Sequence, residues 1–129
     1  MRVFLTPSVT RLTRQERLDV AVLCNVAREV LAGRLGAGEA DLGGGVFKKR
    51  LARAGGGKRG EYRMIVAYRR PLTERVLFAF AFAKNSDEAL TAHGLETFTA
   101  AAAEFVATSD EALDSMMAKG VVREIACDA

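Results

Sequence analysis

Eight consecutive apolar residues, Val76 to Ala83, constrain this chain more than any other segment. A membrane-spanning helix needs about twenty such residues, so the run is too short to cross a bilayer. It lies between Pro71-Leu72-Thr73 and Lys84-Asn85-Ser86, and it carries Val76 and three phenylalanines. That length and those bounds read as a strand covered on both faces, and therefore central in a sheet. The segment before it, Glu61–Arg70, alternates. Tyr62, Met64, Val66 and Tyr68 take one face and Arg63, Ile65, Ala67 and Arg69 the other. Val46–Arg53 reads as a further strand, joined to Glu61–Arg70 through the Gly-rich stretch Ala54–Gly60. The three form an antiparallel meander.

Helices flank this sheet on both sides in sequence. Arg2–Leu5 reads as a short strand, followed by Thr6-Pro7, a hydroxyl cap before a proline at the first helical position. One helix is expected near 7–14. A longer one is expected near 17–32, with Thr13 and Glu16 spaced as a capping box and Gly33 as the stop. Gly36–Gly45 reads as a loop. Beyond Ser86, Leu95, Phe98, Ala102, Phe105 and Val106 fit one helical stripe. Ser109 caps a second short helix, with Leu113, Met116 and Met117 on its apolar side, and Val121–Ile125 follows as an edge strand. The expected fold is α+β in one domain over residues 1–129. It has a small antiparallel sheet of three to five strands, two N-terminal helices packed on it, and two C-terminal helices.

Charge is distributed unevenly. Residues 1–84 hold seventeen Lys and Arg against seven Asp and Glu, whereas residues 85–129 hold two against nine. Val46–Arg70 alone carries nine basic residues and one acid, Glu61. Clustered cations attract phosphates and release counterions, so a polyanionic partner is expected at this segment.

Several site types are excluded. Gly55-Gly56-Gly57-Lys58-Arg59-Gly60 satisfies the dinucleotide fingerprint literally, but it joins two strands rather than a strand and a helix. Arg59 stands where a Walker loop needs Ser or Thr. His93, the one histidine, sits beside Gly94 at a helix boundary and reads as a surface residue. Cys24 and Cys127 lack metal-ligand spacing and read as two reduced thiols. No metal or cofactor is expected. The N-terminus shows no hydrophobic signal core, which gives a cytoplasmic expectation.

Strand parity puts Lys48 and Arg50 on one face, opposite Phe47 and Leu51, and puts Arg63 on that same outer face. Lys49 falls on the apolar side and is expected at an edge, with its head snorkelling to water. Lys84 ends the central strand beside Arg63, and Lys58 and Arg59 lie in a glycine loop able to close over a bound strand. Such a set can cleave RNA without metal or histidine, because the attacking 2′-hydroxyl belongs to the substrate. Arginine forks hold phosphate oxygens, and a lysine crowded by cations releases its proton more readily. The same residues also suit binding without cleavage.

Three stretches resemble the RelE-like toxins of the HigB group. They are Leu42–Arg53, the segment Gly57-Lys58-Arg59-Gly60-Glu61-Tyr62-Arg63, and Phe82-Ala83-Lys84-Asn85. The likeness runs from about Arg2 to Ile125. It implies a toxin of a type II toxin–antitoxin pair that cleaves mRNA in the ribosomal A site, against the 16S rRNA region. It also implies a helix-turn-helix antitoxin of the HigA kind. Under it, Lys48, Arg50, Arg63 and Lys84 are the catalytic set: Lys48 and Arg50 contact RNA and assist proton transfer, Arg63 sits on the scissile phosphate, and Lys84 supports the transition state. Lys49, Arg53, Lys58, Arg59 and Asn85 would bind RNA. The chain departs from the group in Ser86, where Glu is common, and in lacking a matching C-terminal tyrosine. Two other readings stay open, a ParE-like inhibitor of gyrase and an inactive nucleic-acid- or antitoxin-binding module.

Overall fold

The computed structural model describes residues 1–52, 61–69, 74–83 and 92–127. Its elements are β1 (Arg2–Leu5), α1 (Pro7–Gln15), α2 (Val20–Leu31), β2 (Ala40–Gly43), β3 (Val46–Ala52), β4 (Glu61–Arg69) and β5 (Arg75–Ala83), then α3 (Ala92–Val106), α4 (Asp110–Ala118) and β6 (Arg123–Ile125). The strands form one six-stranded sheet in the order β2-β3-β4-β5-β1-β6. The expected meander of β3, β4 and β5 is its antiparallel centre. The sheet is nevertheless larger than expected, and mixed. β1 lies parallel to β5, and β6 pairs antiparallel to β1 at one edge. β2, inside the segment read as a loop, forms the other edge. β1 and β6 answer to the strands expected at Arg2–Leu5 and Val121–Ile125, so β2 is the sixth strand, and its four residues in a glycine-rich stretch are too short to show a period.

Both faces of the sheet are covered. On one, α1 and α2 bring Val9, Leu23, Val26, Ala27 and Val30 onto Val3, Leu5, Leu51, Tyr62, Met64, Val66, Val76 and Phe78. On the other, α3 and α4 bring Ala102, Phe105 and Leu113 onto Phe4, Val46, Ile65, Ala67, Leu77 and Ala79. Ile65 and Ala67, expected on the open side, are therefore fully buried. Only the part of that face beyond α3 is left for the basic residues. His93 and Gly94 fall within α3 rather than in a loop before it.

The caps explain where the helices start. Thr6 Oγ1 accepts the Val9 amide, with Pro7 at the first helical position, as expected. Asp19, not Thr13, caps α2, its carboxylate accepting the Ala21 amide at 2.9 Å. Thr13 instead lies within α1 and donates to the Thr10 carbonyl, while Glu16 accepts the Tyr62 hydroxyl. Ser109 caps α4, with Asp110 and Glu111 in the first turn favouring its dipole. Arg75 is 1 % exposed and fixes the α3–α4 turn, donating to the Thr108 carbonyl and to Asp110, both at 2.7 Å.

A bulge shapes the second half of β5. Ile65 pairs with Phe80 and Val66 with Phe78, leaving Ala79 as the extra residue. Its carbonyl accepts the Thr6 hydroxyl at 2.9 Å, and the Thr6 amide donates to the neighbouring Phe78 carbonyl. Across the bulge the parity flips. Phe78 packs under α1 and α2, while Phe80 joins the opposite cluster. Phe82, opposite Arg63, is only half-buried.

The cysteines are not free thiols. Cys24 of α2 and Cys127, just past β6, form a disulfide with their Cα atoms 5.6 Å apart. β6 and α2 bring together two residues that are 103 positions apart in sequence, a proximity with no local signature.

Phe78→Ala should lower stability by about 3–5 kcal/mol in urea titration, because Phe78 is fully enclosed. Phe82→Ala should cost distinctly less, and equal losses would contradict the flipped parity. Reducing the disulfide should lower stability by about 4–5 kcal/mol, the value for a loop on the order of a hundred residues. An unchanged unfolding midpoint in reductant would show that the bond does not restrain the unfolded chain.

Candidate functional site

The described part of the site is built on β3 and β4. Strand parity sends Lys48 and Arg50 to one face of β3 and Lys49 to the other, and the register sets Arg50 directly across from Arg63 and Lys48 across from Ile65. Arg63 in turn faces Phe82 of β5. Lys48, Arg50, Arg63 and Phe82 thus form a contiguous half-buried patch beyond the cover of α3. Phe80 and Phe82 stack with ring centroids 5.8 Å apart.

The segment before β2 closes the patch from the side. Gly38, at φ +77°, lies so near the two arginines that a Cβ there would stand 3.2 Å from Arg50 Cδ and 3.7 Å from Arg63 Nη2. Both guanidinium groups therefore converge under one glycine. Arg50 Nη1 also donates to the Ala37 carbonyl at 2.6 Å. Like charges directly across a ladder repel, and an anion seated between them relieves that repulsion.

Lys49 departs most clearly from expectation. It is neither at an edge nor snorkelling. Its side chain is 1 % exposed, and its ammonium donates to Glu39 at 2.8 Å and to the Arg34 carbonyl at 2.9 Å, with Glu29 at 3.0 Å. A cation so enclosed is not presented to RNA on the outer face, which corrects its reading as an RNA-binding residue. The alternation of β3 forces Lys49 inward, and the acids come to meet it. Glu39 holds two elements at once, since its other oxygen accepts the Arg50 amide at 2.8 Å and the first also accepts the Gly36 amide. Nothing in the spacing of Glu29 and Glu39 marks them in sequence. The cue was a lysine on the apolar parity of a strand.

Lys84, Asn85, Arg53, Lys58 and Arg59 lie outside the described residues. Among the described residues no cluster of His, Cys, Asp and Glu has the arrangement of a metal site. No described helix is long and apolar enough to cross a membrane.

The family model for the RelE toxin of the RelE / RelB toxin-antitoxin system matches residues 1–125. The chain belongs to the RelE toxin family. It is accordingly a toxin of a toxin–antitoxin system, and an antitoxin partner comes with that membership. Toxins of the RelE family are generally ribonucleases. No curated protein and no solved structure matches the chain.

Burial alone would raise the Glu39 carboxyl. The hydrogen bonds from Lys49 and from the Arg50 and Gly36 amides outweigh it and hold the group below its usual range. Burial alone would likewise lower Lys49, but Glu39 and Glu29 hold its ammonium above the usual lysine range. Glu39 therefore stabilises the fold above its unfolded value near 4.5, and this is lost as pH falls through its depressed folded value. The Lys49 contribution is complete below 10.5 and is lost as pH rises through its raised folded value. At pH 7, Glu39→Gln should cost about 3 kcal/mol in denaturant titration, the low end for breaking a buried pair, because Glu29 still holds Lys49. The gap to wild type should shrink below pH 4. A constant gap down to pH 3 would rule out a charged Glu39 as the source.

Proposed function

We propose that this chain is an mRNA endoribonuclease of the HigB-like group, acting on the ribosome with Lys48, Arg50, Arg63 and Lys84 as its catalytic set. The observation that carries the reading is the cross-strand pair Arg50 and Arg63 converging under Gly38, with Lys48 and Phe82 on the same face. Two planar guanidinium groups on one spot suit the non-bridging oxygens of a phosphodiester. The substrate's 2′-oxygen attacks the adjacent phosphorus and gives up its proton to a base. The bond to the 5′-oxygen breaks, and that oxygen takes a proton, leaving a 2′,3′-cyclic phosphate and a 5′-hydroxyl. Arg63 bears on the phosphate, Lys48 and Arg50 hold the RNA and assist proton transfer, and Lys84 supports the charge that builds in the transition state. Fixed donors aimed at that charge are the main catalytic resource of such a site.

Arg53, Lys58, Arg59 and Asn85 extend RNA binding in this reading. The partner is an antitoxin of the HigA-like helix-turn-helix kind, and the protein works in the cytoplasm. A reducing cytosol opens disulfides that are not well protected, so the Cys24–Cys127 bond is subject to reduction there.

In a translation reaction on a defined mRNA, primer extension should reveal cuts that need ribosomes. Arg63→Ala should reduce them on the order of a hundredfold or more, as for loss of one donor to a developing oxyanion, while far-UV circular dichroism stays unchanged. Cuts without ribosomes would make the protein a free ribonuclease using the same face. A folded, toxic protein that makes no cuts would point to a protein target such as gyrase.

A further inference from the structure

At the far edge of the sheet from the basic patch, α1, the end of α4 and β6 enclose a cleft of about 500 Å³. Its floor is apolar, formed by Pro7, Met117 and Val122, and its rim carries Arg11, Arg14 and Arg123. None of these three guanidinium groups has an ion pair or hydrogen bond among the described residues. The acid at the rim, Glu124, is already committed, with both carboxylate oxygens 3.0 Å from the Arg2 guanidinium. Thr10 Oγ1 also lines the cleft and is buried with no partner among the described residues. β6 is the last strand of the sheet, so the outer backbone edge of Arg123–Ile125 has no ladder partner among the described residues.

These features share one complement. We propose that the cleft receives an extended acidic segment of the antitoxin, which adds as a strand on β6, seats an apolar side chain on Met117 and Val122, and sets its carboxylates on Arg11, Arg14 and Arg123. The proposal rests on the toxin–antitoxin reading for the existence of the partner and is independent of RNA cleavage. Strand addition supplies backbone hydrogen bonds, while the apolar floor and charged rim select the sequence. An RNA strand fits less well. Among the described residues no aromatic ring lines the cleft to stack a base, and an apolar floor gives a sugar–phosphate chain nothing to bind. Held there, the antitoxin grips the toxin two strands away from the β3–β4–β5 face, which leaves the rest of its chain free to reach that face.

The test uses the full chain and a fluorescein-labelled peptide of alternating Glu and Leu, read by anisotropy. The Glu/Leu peptide should bind wild type. The triple variant Arg11→Glu, Arg14→Glu, Arg123→Glu should weaken it by at least about thirtyfold, as reversal of three facing charges requires. A Glu/Ser peptide should bind clearly more weakly than the Glu/Leu peptide, and amide exchange over Arg123–Ile125 should slow when the Glu/Leu peptide is bound. Arg63→Ala should bind the peptide as wild type does, so loss of cleavage and loss of docking are read separately. Equal peptide affinity in wild type and triple variant overturns the proposal, as does equal binding of the Glu/Ser peptide. An oligouridylate that binds in place of the peptide and is lost in the triple variant would reassign the cleft to nucleic acid.

Discussion

The geometry of the basic patch hangs on one buried ammonium. Lys49 sits in the middle of β3 with its side chain under the sheet, where an unpaired charge is among the costliest things a fold can enclose. Glu39 is what makes it tolerable. In meeting Lys49, Glu39 draws the segment from Gly36 to Glu39 against β3, and its second oxygen takes the Arg50 amide. The Ala37 carbonyl and the Gly38 backbone come with it and settle over the Arg50 and Arg63 side chains. The inward lysine and the outward arginine next to it thus form one unit. The first is satisfied by a loop, and that loop orients the second.

A second device works from the other side of the patch. The bulge at Ala79 lets one strand serve two cores, sending Phe78 beneath α1 and α2 and turning Phe80 and Phe82 to the opposite face. The carbonyl of the bulged residue accepts the same Thr6 hydroxyl that caps α1. One side chain thereby joins the start of the first helix to the point where β5 changes sides. The half-buried Phe82 beside Arg63 depends on that change.

The chain declared its centre and hid its margins. The apolar run at Val76–Ala83, the alternation of Glu61–Arg70 and the caps at Thr6 and Ser109 rest on local chemistry, so they could be read directly. The edge strand β2 is too short for a period, and the parallel pairing of β1 with β5 joins segments some seventy residues apart. The bulge reverses parity without any glycine or proline to announce it. Parity placed Lys48, Arg50 and Arg63 on one face, and the register brings Arg50 and Arg63 together. It also put Lys49 on the inner face. The edge position assigned to Lys49 failed because Glu29 and Glu39 satisfy it through contacts that belong to the tertiary fold. The C-terminal helices were located, but which face they cover is a property of the packed chain.

The strand order has a consequence for how the protein is made. β1 is synthesised first but lies between β5 and β6, so the earliest strand waits for two of the latest before its ladder is complete. Pairings this distant in sequence form slowly and late in folding. A nascent chain that has produced β3 and β4 already carries Lys48, Arg50 and Arg63, yet it lacks β5, the strand that joins its first strand to them. The ladder of β1 is deferred until β5 and then β6 have emerged, so the basic face remains without its Phe82 flank and without β1 behind it while β5 is still to leave the ribosome that is translating the chain.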